Sequence, residues 1–160
     1  MVKNKKNLLL KLILLISIIA LISAFFIEYI LGHQPCNLCI LERIPYFLAI
    51  IVILLNYKFI EFEKFFILFL TIIFLFGTVL SLYHLGIEQG LIQESLVCDL
   101  KSGSNLLSKE EILKQLQEKS VSCKDVTFKM FGLSLTSYNI LISILITFSA
   151  GKIYFNYDKN

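Results

Sequence analysis

Cys36 and Cys39 stand three residues apart in the stretch GHQPCNLCILERIPY (32–46), with Arg43 one helical turn beyond and a proline on each side. A thiolate is the nucleophile of disulfide exchange, so a nearby cation or helix N-terminus raises the reactive fraction of a thiol by favouring its charged form. On a helix Arg43 would share a face with Cys39 and favour its thiolate, and the same guanidinium could hold a polar head group. Pro45 limits that picture, because proline fits a first helical turn but clashes in a helix interior. The regular helix is therefore expected to begin near Glu42 or Arg43, with the CxxC in a turn of its own, and the shared face is approximate.

Cys98 and Cys123 complete a set of four cysteines. Four cysteines allow three pairings. Spacing favours Cys36 with Cys39, and Cys98 with Cys123 closing a long loop. Plainer roles stay open: the CxxC can be a structural staple, and the second pair can simply brace its loop. Zinc is a third option if His33 or His84 joins the cysteines, but structural zinc sites usually show paired ligand spacings and only one such pair is present. No metal is assigned, and His33 reads as a loop residue. His84 ends an apolar run, where its ring can sit among lipid headgroups or serve as hydrogen-bond partner or proton source for a lipid-soluble ligand. Glu42, beside Arg43, reads as a solvated or paired charge.

The elements that must position these residues are apolar. Of 160 residues, 57% are hydrophobic and 17% charged, and mean hydropathy is +0.78. A soluble domain would carry roughly a quarter charged residues, so the natural solvent is a bilayer and the natural count one domain, 1–160. Nucleic-acid binding is a poor fit, because the net charge of +3 includes no distinct basic face. A spanning helix needs about 20 mostly apolar residues. Four runs qualify, at about 8–31, 44–60, 65–83 and 130–151. The first follows Lys3, Lys5 and Lys6, as a signal peptide would, but it is longer than a signal core and lacks a clear small-residue cleavage site. The second is weakest, interrupted by Asn56 and Lys58. The expectation is an all-α membrane protein, a four-transmembrane-helix bundle with outer loops at about 32–43 and 84–129.

Lysines at the N-terminus, at Lys58 and Lys64, and at Lys152 and Lys159 favour cytoplasmic termini, although the second outer loop itself holds six lysines. All four cysteines then lie outside, where disulfides persist. Within the second loop, Ser108 precedes Glu111 at capping-box spacing, and Ile112, Leu113 and Leu116 share a face. A short helix over 108–120 is expected, either interfacial or packed on the bundle tops, after a mobile stretch at 102–105.

PCNLCILER (35–43) resembles the first-loop signature of the bacterial disulfide bond formation protein B family (DsbB). The likeness continues in YHLGIEQG (83–90) leading into VCDL (97–100), and in SCKDVTFKMFGLSLTSYN (122–139) entering the last span. It covers nearly the whole chain. The resemblance implies a thiol:quinone oxidoreductase of the bacterial inner membrane that reoxidises a periplasmic, thioredoxin-fold disulfide donor (DsbA-like). In the implied relay the donor attacks Cys98, Cys123 attacks Cys36, and the freed Cys39 passes electrons to a quinone (ubiquinone or menaquinone) held near Arg43, with His84 a second, looser match to a quinone-side residue. So strong a donor needs an acceptor outside the thiol pool, and a membrane quinone meets that need. Some family members carry a Gln-His pair near the outer end of the first span, where Glu28 and Tyr29 stand here. That departure bears on donor choice or quinone contacts. Two other readings compete: a membrane reductant carrying electrons outward, and a structural membrane protein with inert disulfides.

Overall fold

The computed structural model describes residues 2–93, 98, 122–124, 128–130 and 132–157. The helix expected at 108–120 and the stretch at 102–105 lie outside the described residues. Helix α1 (Val2–Tyr29) ends before Gly32, whose φ of +72° turns the chain. A short helix α2 (Asn37–Leu41) carries Cys39, and Cys36 is its N-cap. Helix α3 (Ile44–Lys58) then restarts with Pro45 in its first turn, where a missing N–H costs nothing. A single 3-10 turn, Ile60–Phe62, leads into α4 (Glu63–Glu88). A two-residue hairpin pairs β1 (Lys129–Met130) with β2 (Leu133–Ser134), in the register Lys129 to Ser134 and Met130 to Leu133. Its turn is made by Gly132 at φ +82°. Ser134 Oγ then accepts from Ser137 N and caps α5 (Leu135–Phe155).

The four long segments, Lys6–Tyr29, Asn37–Lys58, Ile60–Glu88 and Leu135–Phe155, are long and apolar enough to cross a membrane. The protein is an all-α membrane protein. Its exposed surface fits that solvent: Phe47, Phe65, Phe76, Leu145 and Phe148 all point outward, a face too apolar for water. Lipid tails match leucine in polarity, so helix association rests on close packing and internal hydrogen bonds. Small residues accordingly line the contacts: Ala49, Ser81, Ser143 and Ala150 are essentially inaccessible. A Cβ on Gly77 would lie 3.1 Å from Pro45 Cγ, so the restart of α3 packs tightly on α4. Buried hydroxyls close back on their own helices, as in Ser17 to Ile13 O (2.8 Å) and Ser81 to Gly77 O (2.9 Å). Asn56, the polar interruption of the second apolar run, is buried within the protein rather than exposed to lipid.

Candidate active site

All four cysteines gather at one end of the bundle. Cys36, Leu38, Ile87, Cys98 and Cys123 form one buried cluster, with Cys39, Leu41, Leu80 and Tyr83 packed against it. Cys98 and Cys123 are joined as a disulfide, with Cα atoms 5.9 Å apart. Asn37 Nδ2 donates to Cys98 O (3.2 Å), which ties the second cysteine pair to the helix that carries the first. Cys36 and Cys39 are free thiols whose Sγ atoms lie 2.8 Å apart, in hydrogen-bonding contact. Cys39 N donates to Cys36 Sγ (3.3 Å), the capping bond of α2.

His84 lies in this cluster, not at a lipid interface. It is 1% exposed, because α4 continues past it to Glu88 and turns it inward. Its Nε2 is 3.5 Å from Cys36 Sγ and its Nδ1 is 2.8 Å from Glu42 Oε1. Glu42, which the sequence offered as a solvated or paired charge, is 8% exposed and also accepts from Asn139 Nδ2 (2.9 Å). Asn139 Nδ2 further donates to Ser81 Oγ (2.7 Å), and the Tyr46 hydroxyl donates to Asn139 Oδ1. Thr136 Oγ1 donates to Glu88 Oε1 (2.5 Å) and lies 3.3 Å from His84 Nδ1. Helices α3, α4 and α5 thus meet in a polar network that ends on a cysteine sulfur. Networks of this kind are costly when half satisfied and specific when complete.

Charge in the CxxC is steered to Cys36. The Cys39 thiol, donating to Cys36, is the main cause that draws the Cys36 pKa down to about 5. Burial opposes it, and His84 adds to it through a hydrogen bond and its charge. Arg43 takes a different position from that of a helical neighbour stacked over Cys39. Helix α2 ends at Leu41 and α3 begins at Ile44, so the chain turns between the two residues. Arg43 Nη1 donates to Glu28 Oε2 (2.5 Å), and its guanidinium lies 5.2 Å from the centre of the Phe25 ring. Glu28, one of the two residues at the family departure, is therefore the partner of Arg43. His33 lies apart, edge-on to Phe128 at 5.3 Å.

Glu88, Thr136 and Asn139 are site residues that no sequence motif marked, and Glu42 was marked only as a solvated or paired charge. A signal for one face of α4 was present: Ser81, His84 and Glu88 recur at helical spacing in a mostly apolar run. The partners on α3 and α5 have no such local pattern, since only packing brings them together.

The model of the family described as "Disulfide bond formation protein DsbB" matches residues 6–152. The chain belongs to the DsbB family. It is also 33% identical to an uncharacterized protein of Rickettsia prowazekii (strain Madrid E), over 99% of this chain and 94% of that one. Membership makes the chain a multi-pass membrane protein of disulfide bond formation, with disulfide-forming oxidoreductase activity.

Proposed function

We propose that this protein oxidises a soluble, DsbA-like dithiol of the thioredoxin fold and delivers the electrons to a membrane quinone. The observation that carries this reading is the buried cluster that holds Cys36 together with the Cys98–Cys123 disulfide. A thiolate of the donor attacks Cys98, forming a mixed disulfide and releasing Cys123. Cys123 then attacks the Cys36 sulfur of an oxidised CxxC, and Cys39 leaves as the electron-rich thiolate. The donor's second thiolate displaces Cys98 and the donor leaves as a disulfide, and Cys98 then displaces Cys36 from Cys123 and restores the Cys98–Cys123 bond. The net exchange moves two electrons and two protons from the donor dithiol to the CxxC, which passes them to the quinone. Bound at this end, a quinone supplies the two-electron acceptor that the thiols lack.

The residues present fit such a ring. Ile40, Ile44 and Phe47 expose apolar side chains beside Arg43, and the guanidinium has donors beyond the one spent on Glu28. Arg43 orients the acceptor by hydrogen bonding, and the Glu28 carboxylate fixes the direction of the guanidinium. His84, held by Glu42 at Nδ1, moves protons at Cys36. Cys36, Cys39, Cys98 and Cys123 are the redox residues, and 1–160 acts as a single membrane domain in the bacterial inner membrane. The cysteine end faces the periplasm and both termini face the cytoplasm, in line with the N-terminal lysines and with the persistence of disulfides outside.

The test is trapping. A donor whose second active-site cysteine is replaced should accumulate as a mixed disulfide with this protein. The adduct should vanish in Cys98→Ser and survive in Cys36→Ser. An adduct that forms equally well on Cys98→Ser contradicts the relay. A donor that stays mostly oxidised in cells lacking this protein contradicts the direction of electron flow.

A further inference from the structure

The single CxxC spacing argues against zinc, but folding adds a ligand that spacing cannot show. Cys36 Sγ, Cys39 Sγ and a ring nitrogen of His84 all lie within 4.8 Å of one another. They come from the start of α2 and the last turns of α4, and His84 is almost fully buried. Glu42 holds Nδ1 at 2.8 Å, so Nε2 is the nitrogen presented to the sulfurs. A carboxylate on the second nitrogen is the usual support of a metal-binding histidine. Three protein ligands leave the fourth tetrahedral position to water.

We propose that the reduced CxxC, with His84, captures a thiophilic divalent cation of the zinc class, so that metal binding and disulfide formation are alternative states of the same two sulfurs. Tetrahedral bond lengths can be compared with the distances present. Zn–N and Zn–S bonds of about 2.05 and 2.3 Å put a ligand nitrogen and sulfur roughly 3.5 Å apart. The His84 to Cys36 separation is 3.5 Å. Two sulfurs on one tetrahedral ion stand about 3.8 Å apart, so Cys36 and Cys39 must part by about 1 Å, within reach of a side-chain rotation. Capture releases the remaining thiol protons and moves no electrons. Oxidation removes two electrons from the same sulfurs and joins them, which removes the site. Nothing in quinone reduction requires this binding, so the two readings stand or fall separately.

The test uses full-length protein in detergent without quinone or donor, and Co²⁺ as a spectroscopic probe. In Cys98→Ser/Cys123→Ser protein the CxxC is the remaining dithiol. When reduced, it should bind one Co²⁺ per chain, with thiolate-to-cobalt charge transfer and tetrahedral visible bands, and Zn²⁺ should displace it. After oxidation of Cys36 to Cys39 binding should disappear, a control that needs no further substitution. Glu42→Gln should weaken affinity by about 10–100-fold, the usual effect of losing the carboxylate behind a metal-binding histidine. Absence of Co²⁺ binding by the reduced protein overturns the proposal. So does binding that survives oxidation, Cys36→Ser or His84→Gln unchanged.

Discussion

The two ends of the bundle each bury a carboxylate, and they satisfy it differently. Away from the cysteines, Glu63 of α4 meets the permanent cation Lys6 of α1 at 2.5 Å and the Tyr157 hydroxyl at 3.2 Å. Lys6 Nζ also lies 5.2 Å from the centre of the Tyr157 ring, so the ends of three spans are clamped together. At the cysteine end Glu42 meets His84 and Asn139, and Glu88 meets Thr136. Among the described residues, no lysine or arginine contacts either of those two carboxylates. A fixed ion pair holds helices and exchanges no proton under ordinary conditions. The Glu42 carboxylate instead continues through His84 toward the Cys36 sulfur, 3.5 Å beyond, as a chain of hydrogen-bonding groups rather than a fixed clamp. The same problem in burial thus yields a clamp at one end and a reactive site at the other.

The largest effect that would break this contrast is chemical. Cys39→Ser should abolish quinone-dependent oxidation of the donor, measured as donor disulfide formed per minute, and should leave the Lys6–Glu63 clamp intact. Next in size is the proton-handling pair. Glu42→Gln should slow turnover by about 10²-fold, the scale of a lost general acid–base contribution, while the mixed disulfide between donor and Cys98 still forms. Loss of that adduct together with turnover would reduce Glu42 to a packing role. Glu63→Gln should show the opposite profile, with turnover unchanged and stability lower by about 1.5–3 kcal/mol, the worth of a hydrogen bond to a charged partner, read from thermal unfolding in detergent.

The smallest and sharpest comparison is titration of Cys36. In reduced Cys98→Ser/Cys123→Ser protein, thiolate absorbance should persist as pH falls to about 5, where an ordinary thiol of pKa 9.0 has long been protonated. The depressed pKa also signs the stability. That contribution is fully present above 9.0 and is lost progressively as pH falls toward 5. His84→Gln should move the thiolate midpoint upward, since His84 supports the anion at 3.5 Å. A midpoint that stays near 9 in the unsubstituted pair would remove the electrostatic role given to Cys39 and His84.

Much of this architecture was legible in the sequence because a bilayer demands long apolar runs. Pro45 announced the restart of α3, and the structure breaks the chain at that place. The pairing of Glu42 and Arg43 was misleading for a local reason. As neighbours of opposite sign they read as one solvated or paired unit, yet the turn between α2 and α3 sends Glu42 inward to His84 and Arg43 to Glu28 on α1. His84 was recognised, but its depth was not. Hydropathy ends the third run near Tyr83, whereas α4 continues to Glu88, since a polar face can stay helical when it points into protein. Asn139 shows the limit most clearly. It stands in a run that is otherwise read only as apolar, and the packing of α5 against α3 and α4 is what selects Glu42, Ser81 and Tyr46 as its partners.

The central claim is that electrons leave the cysteine end for a quinone. Purified protein, mixed without oxygen with a reduced thioredoxin-fold donor and a short-chain quinone, tests it directly. The expected result is one quinol formed for each donor disulfide, lost in Cys39→Ser. Donor oxidation without quinol, or quinol formation at the original rate in Cys39→Ser, would contradict it.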